Sequence, residues 1–139
     1  MVRVLIVDDQ SWFRGVMRDV VASTGNFRVV GEAESGEAAI EAVEQLAPEL
    51  VILDKRMPGI GGVAACRTIK ERHPDTVVLI CSVEEPEAAV IHASGADAFI
   101  RKHELSPRCL VELWRERAGR SLDAPVSPRT RPGSSESAP

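Results

Sequence analysis

The sequence predicts an α/β fold in which five parallel strands form a doubly wound sheet with helices on both faces. Apolar runs alternate with amphipathic stretches five times along the 139 residues, as expected for successive βα units. The apolar runs mostly lack the alternation of a half-exposed strand, which indicates strands covered on both faces. Joined by right-handed crossovers, these units are expected to adopt the common strand order 2-1-3-4-5.

The five predicted strands are short and rich in valine, isoleucine and leucine. A short apolar run bounded by turn-forming or charged residues is typical of a strand in a parallel sheet. In chain order they cover residues 2–7, 27–33, 50–54, 76–82 and 97–102.

The first two helices are predicted from amphipathic spacing and from the residues at their ends. The first is expected at about Ser11 to Ala22, where apolar residues recur at helical spacing. Ser35 is expected to cap the second helix, in the stretch GEAAIEAVEQLA, and Pro48 to end it.

The remaining three helices carry similar end signals. The third, GGVAACRTIKERH, is expected to end before Pro74. The fourth, EEPEAAVIHAS, has Pro86 near its first turn, three glutamates suited to a helix N-terminus, and Gly95 after its end. Ser106 and Pro107 are expected to open the fifth, RCLVELWRER, which has an apolar stripe.

The amino-acid composition narrows the classes of protein to which this chain could belong. Apolar residues make up 44% of the chain, an ordinary value for a globular protein. No apolar run approaches the length of a membrane span, and the N-terminal run lacks a cleavage site, so we predict a cytoplasmic protein without a membrane partner. The formal net charge of −4 makes direct nucleic-acid binding by this chain an unexpected function. Three widely spaced cysteines indicate buried thiols rather than disulfides or a zinc site.

The predicted folded domain covers residues 1–119. The following segment, residues 120–139, is rich in proline and serine and offers no apolar face. A segment of this composition does not bury enough apolar surface to offset its conformational entropy. We therefore predict a disordered tail over residues 120–139.

Acidic side chains end two strands that the predicted topology makes neighbours. Asp8 and Asp9 follow the first strand, and Asp54 ends the third. In an open α/β sheet the binding crevice lies beyond the carboxyl ends of the strands, where the strand order reverses. Because like charges disfavour one another's ionisation, such a cluster suits a hard divalent cation, Mg²⁺ or Mn²⁺.

Two further strand ends are expected to face the same crevice. Ser82 ends the fourth strand and supplies a hydroxyl, while Lys102 ends the fifth and supplies a cation. Acids, hydroxyl and ammonium together suit a phosphoryl group, whose oxygens the cations would neutralise while a carboxylate attacks phosphorus. Read singly, each acid would be better explained as a helix or turn cap.

These residues resemble the receiver domain of two-component response regulators. The resemblance covers about Val2 to Trp114 and rests on the motifs VDD, LDKRMPG, CS and GADAFIRK, each at a predicted strand end. The stretches DDQSWFRGVM and FRVVGEAESGEAAI look most like the class usually fused to a C-terminal helix-turn-helix.

The resemblance implies a role for each acid. It implies that Asp54 is the phosphoacceptor. It also implies that Asp8, Asp9 and Asp54, with the backbone carbonyl of Arg56, hold Mg²⁺ or Mn²⁺.

The resemblance further implies that Ser82 and Lys102 bind the phosphoryl group, and that Ser82 and Phe99 form a conformational switch. Three positions depart from the family pattern. His103 replaces the usual proline after the lysine, Gly61 replaces the acid usual before the second glycine of GIGG, and Val83 replaces a small residue after the hydroxyl position.

Three functions are consistent with these features. The preferred hypothesis is a stand-alone response regulator, not itself an enzyme, that accepts phosphate from a sensor histidine kinase or phosphotransfer protein. It would then change contacts with a downstream protein partner or form a phosphorylation-linked homodimer. The alternative is the receiver portion of a DNA-binding transcriptional regulator. An aspartyl-nucleophile phosphatase is less consistent, because its acids usually lie two residues apart whereas Asp8 and Asp9 are adjacent.

Overall fold

The computed structural model describes residues 1–85 and 87–118, and over these it confirms the predicted fold class. The strands form one parallel sheet of flavodoxin-like order β2-β1-β3-β4-β5. The strands are β1 (Val2–Val7), β2 (Phe27–Ala33), β3 (Leu50–Asp54), β4 (Val77–Ser82) and β5 (Ala98–Arg101). The helices are α1 (Ser11–Ala22), α2 (Gly36–Leu46), α3 (Gly61–Arg72), α4 (Ala88–Ser94) and α5 (Pro107–Ala118), with a 3₁₀ turn at Lys102–Glu104.

Both faces of the sheet are buried, which explains why the central strands are apolar at most positions. Along β1, Val4 and Ile6 point into one apolar cluster while Leu5 and Val7 point into another. Helices α1 and α5 cover the first cluster, and α2 and α3 cover the second. Successive side chains of a strand face opposite sides, so burial on both sides requires a continuous apolar run.

Three predicted boundaries, in two strands, were wrong by one residue. β4 begins at Val77 instead of residue 76, and β5 covers Ala98–Arg101 instead of residues 97–102. The Asp97 carboxylate accepts hydrogen bonds from the Val78 backbone N–H at 2.8 Å and from Lys70 Nζ at 2.9 Å. Asp97 therefore joins β4 to α3 from just before β5, and the chain turns into the 3₁₀ turn immediately after that strand.

The predicted start of α4 was also wrong. This helix begins at Ala88, so Glu84 and Glu85 precede it. Their carboxylates each accept a hydrogen bond at 2.8 Å, one from Arg56 and one from Arg101. These acids form ion pairs with the loop after β3 and with the end of β5, and do not belong to the first turn of the helix.

Two sequence predictions fall outside the described residues. They are the position of Pro86 near the first turn of α4 and the disordered tail over residues 120–139. In the described part, none of the helices combines the length and apolar character needed to cross a membrane.

A close backbone contact fixes the end of β3. The Gly62 backbone N–H donates to the Lys55 carbonyl at 2.9 Å, which seats the first turn of α3 against the strand end. A Cβ atom at Gly62 would overlap the Asp54 carbonyl oxygen. Only glycine lets the two backbones approach this closely.

We predict that Gly62→Ala destabilises the domain, because α3 must move away from the end of β3 to admit the methyl group. Overpacking of this kind costs about 1–3 kcal/mol, which urea denaturation measures. Gly25→Ala is the matched control, because a Cβ there meets no atom within 4 Å. Equal stability of the two variants would contradict the close contact at Asp54.

Candidate functional site

The neighbouring strands β1 and β3 bring three carboxylates to one edge of the sheet. Asp8 directly follows β1 and Asp54 is the last residue of β3. One carboxylate oxygen from each of Asp8, Asp9 and Asp54 lies within 4.8 Å of the others. Asp8 and Asp54 are buried, whereas Asp9 is exposed. The sheet topology thus produces the acid cluster that the strand ends predicted.

Lys102 lies between the two buried acids. Its Nζ is 2.7 Å from Asp8 Oδ2 and 3.4 Å from Asp54 Oδ1. The same ammonium lies 4.5 Å from the centre of the Phe13 ring, a cation–π contact. Burial alone would lower the pKa of Lys102, but contact with Asp8 and the charge of Asp54 outweigh it, so its pKa lies above the ordinary value. Lys102 is therefore charged at neutral pH.

Asp8 retains an oxygen that could bind a further cation. Its Oδ1 accepts a hydrogen bond from the Gln10 backbone N–H at 2.9 Å. Its Oδ2 is buried and, although close to the Lys102 ammonium, receives no hydrogen bond of good geometry from the described residues. That contact is therefore mainly an ion pair, because a short distance without alignment makes a weak hydrogen bond.

The Asp54 carboxyl has an unusually high pKa. Burial raises its pKa from 3.8 to about 6, and the negative charge of Asp8 adds to the effect. The charge and hydrogen bond of Lys102, and a hydrogen bond from the Arg56 backbone, oppose the rise without cancelling it. The ionised Asp54 therefore lacks full charge compensation.

The donor set fits a divalent cation with oxygen ligands. Three carboxylates and one ammonium leave a formal charge of −2 when all are ionised. Asp8 Oδ2, which lacks an aligned hydrogen bond from the described residues, is a further indication that the cluster is one cation short. Carboxylate oxygens are the ligands that Mg²⁺ and Mn²⁺ favour. The expected ligand role of the Arg56 carbonyl stays a prediction.

A pocket of about 210 Å³ opens over the acids. Ser82 is buried in its wall, and its Oγ accepts a hydrogen bond from the Glu84 backbone N–H at 3.2 Å. The pocket is lined by Asp9, Gln10, Asp54, Arg56, Ser82, Val83 and Lys102. The predicted phosphoryl-binding residues therefore lie together around Asp54.

Phe99 lies apart from this pocket. It is half-buried in β5 and packs against the second apolar cluster. Its ring borders a separate groove of about 680 Å³ beside α4, which Ile91 and His92 also line. The role of Phe99 in a switch stays a prediction.

Three contacts at the site were not predicted from the sequence. Phe13 is one of the buried apolar residues of α1, and its ring also supports Lys102. Gln10 lines the pocket, and Arg56 Nη2 pairs with Glu84 at 2.8 Å across its rim. The position of Gln10 directly after two strand-end acids was the one available signal. The loop path that brings Arg56 to Glu84 had none.

The chain is similar to known proteins over most of its described length. The family model of the response regulator receiver domain matches residues 4–113. The chemotaxis protein CheY of Thermotoga maritima is 37% identical over 112 residues, which cover 79% of this chain and 92% of that protein. The transcriptional regulatory protein DegU of Brevibacillus brevis is 34% identical over 80% of this chain and 48% of its own length. The chain thus spans about half the length of this relative.

Solved structures of related proteins have the same fold as this chain. The response regulator domain of Thermotoga maritima CheB gives a TM-score of 0.75 at 30% identity, covering 87% of this chain and 98% of that chain. A LuxR-family two-component response regulator from Aurantimonas gives a TM-score of 0.76 at 27% identity, covering 86% of this chain and 87% of that chain.

We predict that Asp54→Asn stabilises the cation-free domain, and more so as pH rises. The pKa of Asp54 is higher in the folded state than its ordinary 3.8, so the folded chain holds the proton that the unfolded chain releases between about pH 4 and 6. Wild-type stability therefore falls as pH rises through this range, and the variant escapes the loss. The shift corresponds to at most roughly 3 kcal/mol.

Urea denaturation in EDTA at a series of pH values measures this difference. The advantage of the variant should be smallest near the lower end of the range and level off above the Asp54 pKa. Asp75→Asn, an exposed acid far from the cluster, is the control and should show no such trend. If the stability advantage of Asp54→Asn does not change with pH, the raised pKa of Asp54 in the folded state is contradicted.

Proposed function

The chain belongs to the response regulator receiver domain family, and we propose that it accepts a phosphoryl group on Asp54 and thereby switches its contacts with other proteins. Among the three acids, Asp54 is the buried one that also lines the pocket with Ser82 and Lys102. Asp8 is fully buried and pairs with Lys102, and Asp9 is exposed at the rim. The position of Asp54 is the observation that carries the proposal.

The surrounding groups suit attack by the Asp54 carboxylate on a phosphoryl donor. Lys102, 3.4 Å from Asp54 Oδ1, would balance charge on the phosphoryl oxygens. The Ser82 hydroxyl would hydrogen-bond one of these oxygens. Asp8, Asp9 and Asp54, with the Arg56 carbonyl, would hold Mg²⁺ or Mn²⁺, which supplies charge neutralisation when bound.

The proposed switch involves Ser82 and Phe99. The Ser82 Oγ accepts a hydrogen bond from the Glu84 backbone N–H at 3.2 Å. A new charged acceptor at Asp54 would attract the hydroxyl hydrogen and draw the side chain toward itself. Movement of Ser82 would carry the loop after β4 with it. Phe99 borders the groove beside α4, so a shifted loop would favour a different packing of its ring.

We propose that a sensor histidine kinase or phosphotransfer protein supplies the phosphate in the cytoplasm, and that the output is a protein partner or a phosphorylation-linked homodimer. The alternative is the receiver portion of a DNA-binding regulator. The likeness to about half of DegU favours this alternative, and a longer reading frame encoding a helix-turn-helix would establish it. The hypothesis of a stand-alone regulator is supported by the likeness to CheY, which covers 92% of that protein.

We predict that Asp54→Asn abolishes phosphate uptake. Incubation of the wild-type chain with acetyl phosphate and Mg²⁺ should add the mass of one phosphoryl group, because Asp54 alone among the acids combines burial, Lys102 and the open pocket. Intact-mass spectrometry measures the uptake. Asp75→Asn is the control and should be labelled like the wild type. Equal labelling of Asp54→Asn would assign the phosphate to another residue.

We predict that labelling requires a divalent cation held by the acid cluster. EDTA should prevent it, and Asp9→Asn should weaken cation binding by at least about tenfold, since loss of even an indirect partner costs that much. Trp12 is 63% exposed at the start of α1, so its fluorescence should report Mg²⁺ binding.

Two controls accompany the cation titration. Trp12→Phe should remove the fluorescence response, because Trp114 is buried away from the acids. Asp19→Asn, an exposed acid farther along α1, should leave the affinity unchanged. Undiminished labelling in EDTA would exclude the proposed cation role.

A further inference from the structure

We infer that Gln10 is a positioning residue for hydrolysis of the aspartyl phosphate, its side-chain carboxamide holding the water that attacks phosphorus. The inference rests on the proposed function, because it concerns the fate of the phosphoryl group on Asp54. Gln10 follows the two strand-end acids directly and lines the pocket over Asp54.

The burial of the site defines the direction from which water arrives. In-line displacement places the attacking oxygen opposite the bond that breaks, and Asp54 stands at the inner end of the pocket beside the buried Asp8 and Lys102. Water must therefore come from the open side. The exposed residues that line the pocket there are Asp9, Gln10, Arg56 and Val83.

Three of these residues are poorly suited to orient water. Val83 has no polar side-chain atom. The Arg56 guanidinium donates hydrogen bonds but accepts none, and it already pairs with Glu84 at 2.8 Å. Asp9 belongs to the acid cluster and would be engaged by the cation.

The Gln10 carboxamide is both available and chemically suitable. It carries an acceptor oxygen and two donor hydrogens, and it is neutral, so it does not repel the phosphoryl group. Its side chain does not cap α1 and makes no hydrogen bond with another described residue. The carboxamide could therefore accept a hydrogen bond from a water at the pocket mouth or donate one to the oxygen of that water.

The backbone of Gln10 is fixed to the site even though its side chain is free. Its N–H donates to Asp8 Oδ1 at 2.9 Å. Its carbonyl accepts hydrogen bonds from the backbone N–H groups of Phe13 and Arg14, both at 3.1 Å. The carboxamide therefore starts from an anchored Cα, which reduces the entropy lost when the side chain orders around a water.

The step balances without a further reactant. The water oxygen forms a bond to phosphorus while the bond from phosphorus to the Asp54 carboxylate oxygen breaks. Asp54 leaves as a carboxylate, and a water proton passes to a phosphate oxygen, giving inorganic phosphate. The Gln10 carbonyl oxygen accepts a hydrogen bond from the water throughout and is unchanged at the end.

Two variants of Gln10 distinguish positioning of the attacking water from shielding of the phosphoryl group against solvent. Gln10→Met keeps the bulk of the side chain but cannot hold water, and Gln10→Ala removes the bulk as well. The protein is labelled with acetyl phosphate and Mg²⁺, freed of excess donor, and followed by intact mass and phosphate release. Gln45→Met is the matched control, because Gln45 is exposed on α2 and does not line the pocket.

Both Gln10 variants should lose phosphate roughly tenfold more slowly, the equivalent of one hydrogen bond in the transition state. Their rate of labelling by acetyl phosphate should stay within about twofold of the wild type, because that step does not use the water. This split between the two rates distinguishes positioning from a structural role.

Other results overturn the inference in recognisable ways. Unchanged decay in Gln10→Met, with faster decay in Gln10→Ala, would make Gln10 a shield against solvent. Equal slowing of labelling and decay would make its role structural. Absence of labelling in the wild type itself would overturn the proposed function, and the inference with it.

Discussion

The contact of one buried ammonium with two buried carboxylates is the constraint on which the rest of the site depends. Lys102 reaches Asp8 at 2.7 Å and Asp54 at 3.4 Å. Buried ion pairs contribute little net stability once desolvation is included, but removal of one member leaves an uncompensated charge. Two carboxylates at the ends of buried strands would be such a case without Lys102. The Lys102 ammonium compensates part of the negative charge of the carboxylates. Its single positive charge is too small to neutralise all of it.

The sheet topology makes this cluster possible without a dedicated loop. β1 and β3 are hydrogen-bonded neighbours at the centre of the sheet, so the acids at their ends meet wherever the strands stop. Gly62 seats α3 against the Asp54 backbone, which fixes the direction in which that carboxylate leaves the strand. The apolar clusters on both faces hold the strands in register. The same packing that stabilises the fold thus determines the spacing of the acids.

The features predictable from the sequence are those that strand periodicity and strand ends control. Continuous apolar runs identified the parallel sheet, and the acids at the ends of two such runs identified the cluster. The start of α4 was mispredicted because Glu84 and Glu85 were assumed to favour a helix N-terminus, whereas both form ion pairs with arginines of other segments. The contact of Phe13 with Lys102 depends on the packing of α1 against the sheet, which a single sequence does not specify.

Charge balance links the acid cluster to the proposed switch. With all groups ionised, the three carboxylates and Lys102 carry a formal charge of −2, which a divalent cation would neutralise. Phosphorylation replaces the single charge of Asp54 by a phosphoryl group of about −2, so the neutral site becomes anionic again. A donor must then move toward the new charge. Ser82 is the buried hydroxyl in the pocket wall, and its oxygen is held by one backbone hydrogen bond of 3.2 Å. The excess charge therefore acts first on the loop after β4, which leads into α4 and the groove beside Phe99.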